Sequence, residues 1–197
     1  MYESRLIDTR TERWYHIAMT GIMLGRPKDM CGRTEREVKV YDFLDGLGIG
    51  YERIDHEAVE TMEACREIDE LLAPAAVCKN LFLTNSKGDE YFLLMLRGDK
   101  RFVGREVARQ IGSTRLSFGS PQKMEELLST HPGSASVMGL MYDKSLRVKL
   151  LVDGDILSDE YLGCHPCVNT SSLRLRTSDV FNVFLPATGH EYTIVKV

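Results

Sequence analysis

Lys79 stands inside a run that is otherwise almost wholly apolar, Ala75-Ala76-Val77-Cys78-Lys79-Asn80-Leu81-Phe82-Leu83-Thr84. Burying an unpaired ammonium is costly, so its head must reach water or a partner. Two readings stand. Lys79 is an edge or strand-end lysine whose stem covers apolar surface while its head snorkels to solvent. Or the ammonium reaches into a pocket and meets a polar part of a ligand.

Other residues bear on that choice. His131-Pro132-Gly133-Ser134-Ala135-Ser136-Val137-Met138-Gly139-Leu140 is dominated by small residues and shows no apolar period. It reads as a loop whose backbone can approach a ligand and offer free N–H donors, or else as an ordinary connector. His165 follows later in Gly163-Cys164-His165-Pro166-Cys167. A cation, an imidazole and oriented N–H groups can together bind a carbonyl, a carboxylate or an ester. Cys164 and Cys167 have the spacing of a zinc-binding thiolate pair, but a structural site needs two more ligands, and the sequence has no second such pair. A redox use needs a helix after the motif, and Pro166 with a following strand does not supply one. In an extended segment His165 also points away from Cys164, which disfavours a Cys–His nucleophile pair.

Arg101, Arg105 and Arg109 recur every four residues. On a helix they form one row, with Arg101 at or just before its start. The row is either a solvated face or a ridge that holds phosphate oxygens.

The elements that position these residues follow from caps and periods. Residues 1–33 read as an N-terminal extension, with Thr11 capping a short helix through Trp14, Ile17, Ala18 and Met19 and with Ile22 and Met23 beyond. Thr34 and Glu37 form a capping box for a helix carrying Val40, Phe43, Leu44 and Leu47, which Gly46, Gly48 and Gly50 end. Tyr51–Ile54 is a short strand. Thr61 caps a second helix to about Leu72, with Cys65, Ile68 and Leu72 inward. The Lys79 strand and Tyr91–Leu96 make a hairpin across Asn85–Asp89. A helix covers about Val103 to Ile111, and Leu116–Phe118 is a strand. Ser120-Pro121 is an N-cap with a first-turn proline, opening a helix to Leu128. Arg147–Val152 is a strand, and Ile156-Leu157 is a short return. A further strand ends near Leu175. Thr177 caps a last helix that Pro186 and Gly189 end, and Tyr192–Val197 closes the chain. Strands and helices mix without a regular βαβ rhythm, which points to an α+β or mixed-sheet domain.

Bulk properties set the limits. The 197 residues are 43% hydrophobic and 27% charged, enough for one sizeable core and against wholesale disorder. The net charge of -4 hides its distribution. Arg97, Lys100, Arg101, Arg105, Arg109 and Arg115 crowd one segment, while Glu52–Glu70 carries eight acidic residues against two basic ones. The five cysteines are an odd number, and the first 25 residues lack an unbroken apolar core. Reduced thiols in the cytoplasm are the simplest account, and no apolar run approaches the about 20 residues of a membrane helix.

From about Thr34 to the C-terminus the chain resembles the YbaK/prolyl-tRNA-synthetase-associated domain family, particularly its prolyl-tRNA editing branch. The resemblance rests on Cys78-Lys79-Asn80-Leu81-Phe82, Arg97 to Lys100, Leu116-Ser117-Phe118 before Ser120-Pro121, Pro132-Gly133-Ser134-Ala135-Ser136, and His165-Pro166 with Asn169-Thr170. It implies a single editing domain over 34–197, an α+β fold with a mixed, partly barrel-like sheet and surrounding helices. It implies hydrolysis of the ester in mischarged aminoacyl-tRNA, alanyl-tRNA for proline first, with no metal or cofactor. Tight charging fidelity needs such a step because small apolar side chains differ by only ~1–3 kcal/mol in a binding pocket.

On this resemblance Lys79 holds the backbone of the aminoacyl group or the terminal adenosine, while a ribose hydroxyl helps activate water. Gly133, the glycine of the family's GxxxP loop, presents backbone N–H groups to the carbonyl oxygen. His165 lines the aminoacyl pocket, with Asn80 and Ser136 as neighbours. Val137 stands where the family has the proline, and Cys164 where a larger apolar residue is common, so both bear on substrate choice. The Arg101/Arg105/Arg109 row would meet tRNA, and prolyl-tRNA synthetase is the implied protein partner. Two alternatives remain: a deacylase for cysteinyl or seryl groups, and a module that holds tRNA or a synthetase without turnover.

Overall fold

The computed structural model describes residues 21–58 and 62–197, with α2 side chains from residue 67 on. The helix expected around Trp14, the Thr61 cap and the placement of Cys65 lie outside the described residues. In chain order the elements are β1 (Met23–Leu24), α1 (Glu35–Gly46), β2 (Tyr51–Asp55), α2 (Met62–Leu72), β3 (Ala76–Thr84) and β4 (Tyr91–Arg97). Then come α3 (Gly104–Gln110), β5 (Ser117–Phe118), α4 (Pro121–Leu128), a 3-10 turn (Val137–Tyr142) and β6 (Val148–Asp153). A second 3-10 turn (Gly154–Ser158), β7 (Tyr161–Cys164) and β8 (Ser171–Arg176) follow. A helical run α5 over 177–188 and β9 (Tyr192–Val195) complete the described chain.

The strands form one mixed sheet in the order β1-β2-β8-β7-β3-β4-β6-β9, with β5 added on β3. Pairing is antiparallel for β1–β2, β2–β8, β7–β8, β3–β4 and β3–β5, and parallel for β3–β7, β4–β6 and β6–β9. This is the α+β mixed-sheet class expected from the sequence.

β4 lies at the centre, buried from Tyr91 to Leu96 on both faces. Its alternate residues serve two clusters. Leu93 and Met95 join Val40, Tyr41, Leu44 and Phe82 in the main core. Phe92, Leu94 and Leu96 join Leu83 and the Val107–Ala108 face of α3. A seven-residue helix such as α3 is too short to persist alone, so this contact holds it. Among the described residues no helix is long and apolar enough to cross a membrane.

Local chemistry sets the helix ends. The Thr34 hydroxyl accepts from the Glu37 N–H, and Ser120 accepts from the Lys123 N–H with Pro121 in the first turn. Glu37 departs from the reciprocal capping box. It turns to Arg33 at 2.6 Å and accepts from the Tyr41 hydroxyl at 2.8 Å.

Several elements differ from the sequence expectation. Met23 belongs to a strand paired with β2 through Arg53, so the extension adds to the sheet edge. Ile156-Leu157 lies in a 3-10 turn, and the return strand is β7, a few residues later. Thr177 opens α5 without a side-chain cap, because Arg176 occupies the cap position. Pro186 sits inside α5 rather than ending it. The preceding Val180–Phe184 stretch is π-wound, and the break in the ladder that proline requires falls there. Gly189, in the left-handed region at φ 79°, is the stop.

A partly buried ion network ties the segment before α1 to the sheet. Arg33 bonds the Asp55 carboxylate at 2.8 and 2.5 Å as well as Glu37, whose side chain is nearly inaccessible. Removing one member of such a network leaves a buried charge short of its partner. Arg33→Ala should therefore lower the unfolding free energy by about 3 kcal/mol, read from urea midpoints at constant m-value. An unchanged midpoint would show that the network carries no net stability.

Candidate active site

The parallel ladder between β3 and β7 is two pairs long, Ala76 with Leu162 and Val77 with Gly163. Continued, it would set Cys78 beside Cys164 and Lys79 beside His165. Instead the strands part there, and those four residues line a cavity of about 270 Å³. Gly163 helps to leave that space. A Cβ on it would sit 3.3 Å from the Val77 Cγ2 and 3.5 Å from the Leu72 Cδ1. One side of the wall is apolar, from Ile68, Leu72 and Val77.

β3 alternates, so Lys79 shares the face of Leu81 and Leu83 while Cys78 and Phe82 face the main core. The Lys79 side chain is exposed, with Nζ 3.5 Å from the Lys100 carbonyl oxygen. It is thus both a solvent-reaching lysine and a cavity residue. Gly133 reaches the same cavity from the loop before the first 3-10 turn. Its φ of 88° is a conformation that a side chain would strain, although a Cβ there would meet nothing within 4 Å.

His165 Nδ1 donates to the Ser171 carbonyl at 2.9 Å, which leaves Nε2 as the free acceptor. Burial pushes its pKa down, and the nearby His56 ring pushes it the same way, against the bond to Ser171. The imidazole is neutral at pH 7. His56 repeats the arrangement: Nδ1 donates to the Glu57 carbonyl at 2.8 Å, and Nε2 accepts from the Ser172 hydroxyl at 3.0 Å. Burial lowers its pKa too. The Ser172 hydroxyl also lies 3.4 Å from His165 Nδ1, and the two ring centroids are 6.3 Å apart.

His56, Asp69, Asn169 and Ser172 line the cavity, and the sequence reading did not single them out as site residues. His56 and Asp69 come from β2's end and α2, and only the tertiary fold brings them here. In the sequence His56 stands between two acids, and Asp69 is one more acid of the Glu52–Glu70 segment. Burial alone raises the Asp69 pKa, and among the described residues its carboxylate has no cationic partner.

Three expected contacts lie elsewhere. Asn80 faces away from Lys79, and its side-chain N–H donates to the Cys78 carbonyl at 3.3 Å. Ser136 is fully buried. Its hydroxyl donates to the His165 carbonyl at 2.5 Å and accepts from the Met138 N–H at 3.2 Å. It positions the histidine segment rather than lining the cavity. Val137 is wholly buried in the main core. The stretch after it is a 3-10 turn that lacks the 3.6 period, which is why it read as a loop. Its N–H groups are not all free: Ser134 donates to His131 O, and Gly139 to Ser136 O.

Cys164 and Cys167 are both buried, as is Cys78. Burial pushes the Cys78 and Cys167 thiols up to about 12, and Cys164 in the same direction. All three are protonated near neutrality. Among the described residues no three His, Cys, Asp or Glu side chains are grouped to hold a metal.

Arg105 and Arg109 lie one turn apart on α3, while Arg101 lies outside the helix, two residues before its Val103 cap, so only two of the three form a helical row; all three are exposed, and no ion pair engages them among the described residues. Their neighbours are different. Arg97 pairs with Asp159 at 3.2 Å, and Lys100 bridges Asp153 and Asp155 at 2.7 Å each. The unpaired positive charge therefore concentrates on α3 and Arg115.

A family model described as the aminoacyl-tRNA editing domain matches residues 56–183. The chain is 28% identical over 154 residues to the prolyl-tRNA editing protein ProX of Acetoanaerobium sticklandii, spanning 78% of this chain and 93% of that protein. It is 30% identical over 166 residues to prolyl-tRNA synthetase associated domain-containing protein 1 of Mus musculus, spanning 82% and 96%. A solved structure described as a candidate trans-editing enzyme for prolyl-tRNA synthetase superposes with TM-score 0.62 at 17% identity, over 83% of this chain and 98% of that one. The chain belongs to the aminoacyl-tRNA editing domain family, in the branch that holds the prolyl-tRNA editing proteins, and is an aminoacyl-tRNA deacylase.

The two imidazoles carry a pH signature. Their folded pKa values lie below the ordinary about 6.5, so each contributes stability in full above that pH. That contribution is lost as pH falls from there through the depressed folded values. Denaturant midpoints from about pH 7.5 down to about pH 5 should fall for the wild type and fall less for His56→Gln. Parallel curves would show that His56 is not held neutral.

Proposed function

We propose that this deacylase removes alanine from tRNA for proline, by an ester hydrolysis in which this chain positions and polarises the substrate. Lys79, Gly133, Cys164 and His165 come from distant parts of the sequence and converge on one small cavity, and that convergence carries the reading. Ile68, Leu72 and Val77 give the cavity an apolar side that suits an apolar aminoacyl side chain.

The Lys79 ammonium binds the polar part of the aminoacyl group or the terminal adenosine. A backbone N–H at Gly133 faces the ester carbonyl oxygen, where negative charge develops. Neutral His165 presents Nε2 as an acceptor inside the pocket. Asp69, short of a cation, suits the α-ammonium of the aminoacyl group. A ribose hydroxyl of the substrate helps to activate water. Water adds to the carbonyl carbon, the bond to the ribose oxygen breaks, and that oxygen takes the proton. The Arg101/Arg105/Arg109 row holds phosphates of the acceptor arm, the work is done in the cytoplasm, and prolyl-tRNA synthetase is the protein partner.

Lys79 is exposed, so Lys79→Ala should change stability by no more than about 0.5 kcal/mol. Its rate on alanyl-tRNA for proline should fall about 100-fold or more. Rates on alanyl, cysteinyl and seryl esters measured side by side test the substrate, and a faster cysteinyl or seryl rate would overturn the alanyl assignment. Tight tRNA binding with no ester loss would replace hydrolysis by simple binding.

The arginine row makes a separate prediction. Replacing Arg101, Arg105 and Arg109 by Ala should lower the slope of log K against log salt for tRNA by about 2 to 3. An unchanged slope would remove the row from the interface.

A further inference from the structure

A second cavity, of about 500 Å³, lies beside β5 and the start of α3 and is lined by Phe102, Val103, Arg105, Glu106, Arg115 and Phe118 among others. Phe118 is 68% exposed, the second most exposed of the large apolar side chains described. It meets Phe102 edge-on, with centroids 6.1 Å apart. Arg105 and Arg115, both without an ion-pair partner among the described residues, flank the ring pair, with Glu106 the one carboxylate in the lining.

The strand that presents Phe118 is firmly anchored. Phe118 pairs with Leu83 of β3, and the Gly119 N–H donates to the Phe82 carbonyl at 2.9 Å. Ser86 bonds both Thr114 and the Arg115 carbonyl. Two glycines allow the close packing: a Cβ on Gly104 would lie 2.1 Å from the Leu116 carbonyl oxygen, and one on Gly119 would lie 2.5 Å from the Phe82 ring. An exposed aromatic held on so tight a frame is a fixed platform, not a frayed side chain.

Its position relative to Lys79 gives the platform a use. Cross-strand partners share a face, so Phe118 lies on the Leu83 face of β3, which is also the Lys79 face. Lys79 and Leu83 are four residues apart, about 13 Å along the strand. At about 3.4 Å per stacked nucleotide, that is no more than four nucleotides.

Resting on the proposed function, we infer that Phe118, with Phe102 behind it, is a stacking site for an unpaired base near the 3′ end of the RNA, while Arg105 and Arg115 hold the adjoining phosphates. Aromatic rings stack on any base, and guanidinium groups beside them favour single-stranded nucleic acid over an apolar protein segment.

The test compares two RNA hairpins that copy an acceptor stem, one with its unpaired 3′ overhang and one blunt, binding to the wild type, Phe118→Ala and Phe118→Trp. The wild type should bind the overhang about tenfold more tightly than the blunt form. Phe118→Ala should lose that preference and Phe118→Trp keep it. Equal binding of both hairpins by the wild type, or an undiminished preference in Phe118→Ala, overturns the platform. So does a Phe118→Ala chain that keeps its RNA preference but loses binding to prolyl-tRNA synthetase, which would assign the patch to protein. A wild type that prefers the overhang yet hydrolyses no aminoacyl ester leaves the platform standing and removes the hydrolytic reading instead.

Discussion

Two parallel backbone pairs, Ala76–Leu162 and Val77–Gly163, join β3 to β7, and the ladder then ends. The site depends on that ending. Had the pairing continued, Cys78, Lys79, Cys164 and His165 would lie in a closed sheet with no cavity. Before the ending, β7 is fixed on β3; after it, the two strands are free to splay. Gly163 is the last paired residue, and a larger side chain there would press on Val77 and Leu72. The other edge of β3 is held along its length by β4, so the opening does not loosen the core. The cavity is thus a property of one edge of one strand, set by backbone pairing rather than by a mobile loop.

The polar side of the cavity is held by a chain of hydrogen bonds running back into the fold. Ser171 accepts from His165 through its carbonyl, and its hydroxyl lies 3.3 Å from that of Tyr41. Tyr41 donates to Glu37, and Glu37 bonds Arg33. Ser172 donates to His56, and Ser136 clamps the carbonyl of His165. Each imidazole therefore has its Nδ1–H committed to a carbonyl, which fixes the tautomer. A neutral ring is the state that burial favours, with Nε2 of His165 left as an acceptor, and it places no second cation near Lys79. Lys79 itself stays at the solvent edge. One cation and one neutral acceptor suit an ester, which is polarised but uncharged at its reacting carbon.

Much of this was legible in local chemistry. The β3–β4 hairpin showed in its apolar runs and turn, and the starts of α1 and α4 showed in Thr34 and Ser120-Pro121. Lys79, Gly133, Cys164 and His165 were also recognisable as cavity residues, on the family resemblance. What failed was what depends on packing. β7 is four residues long and its pairing, not its composition, makes it a strand. The 3-10 turn at Val137–Tyr142 has no helical period to detect, so its buried residues looked like loop. Asn80 sits one residue from Lys79, and a strand's alternation sends it to the other face. His56, Asp69 and Ser172 reach the cavity from β2's end, α2 and β8, and a single sequence holds no local sign of that meeting.

On the proposed function, the shortness of the alanyl side chain limits what the site can discriminate. A short side chain offers few contacts, and one methylene changes binding by only ~1–3 kcal/mol. An enzyme acting on such a group must take most of its binding energy from the rest of the substrate. The distribution of charge fits that demand. Lys79 apart, the basic residues at the end of β4 and just after it, Arg97 and Lys100, are paired with Asp159, Asp153 and Asp155. Those farther along the same face of β3, on α3 and at Arg115, carry no such partners among the described residues. Attraction for a polyanion is thereby placed away from the reacting ester, where it can orient the nucleic acid without competing with Lys79 for the aminoacyl group. On the proposed function, RNA contacts supply affinity, and the cavity with its lysine, carboxylate and neutral imidazole is left to hold the aminoacyl group.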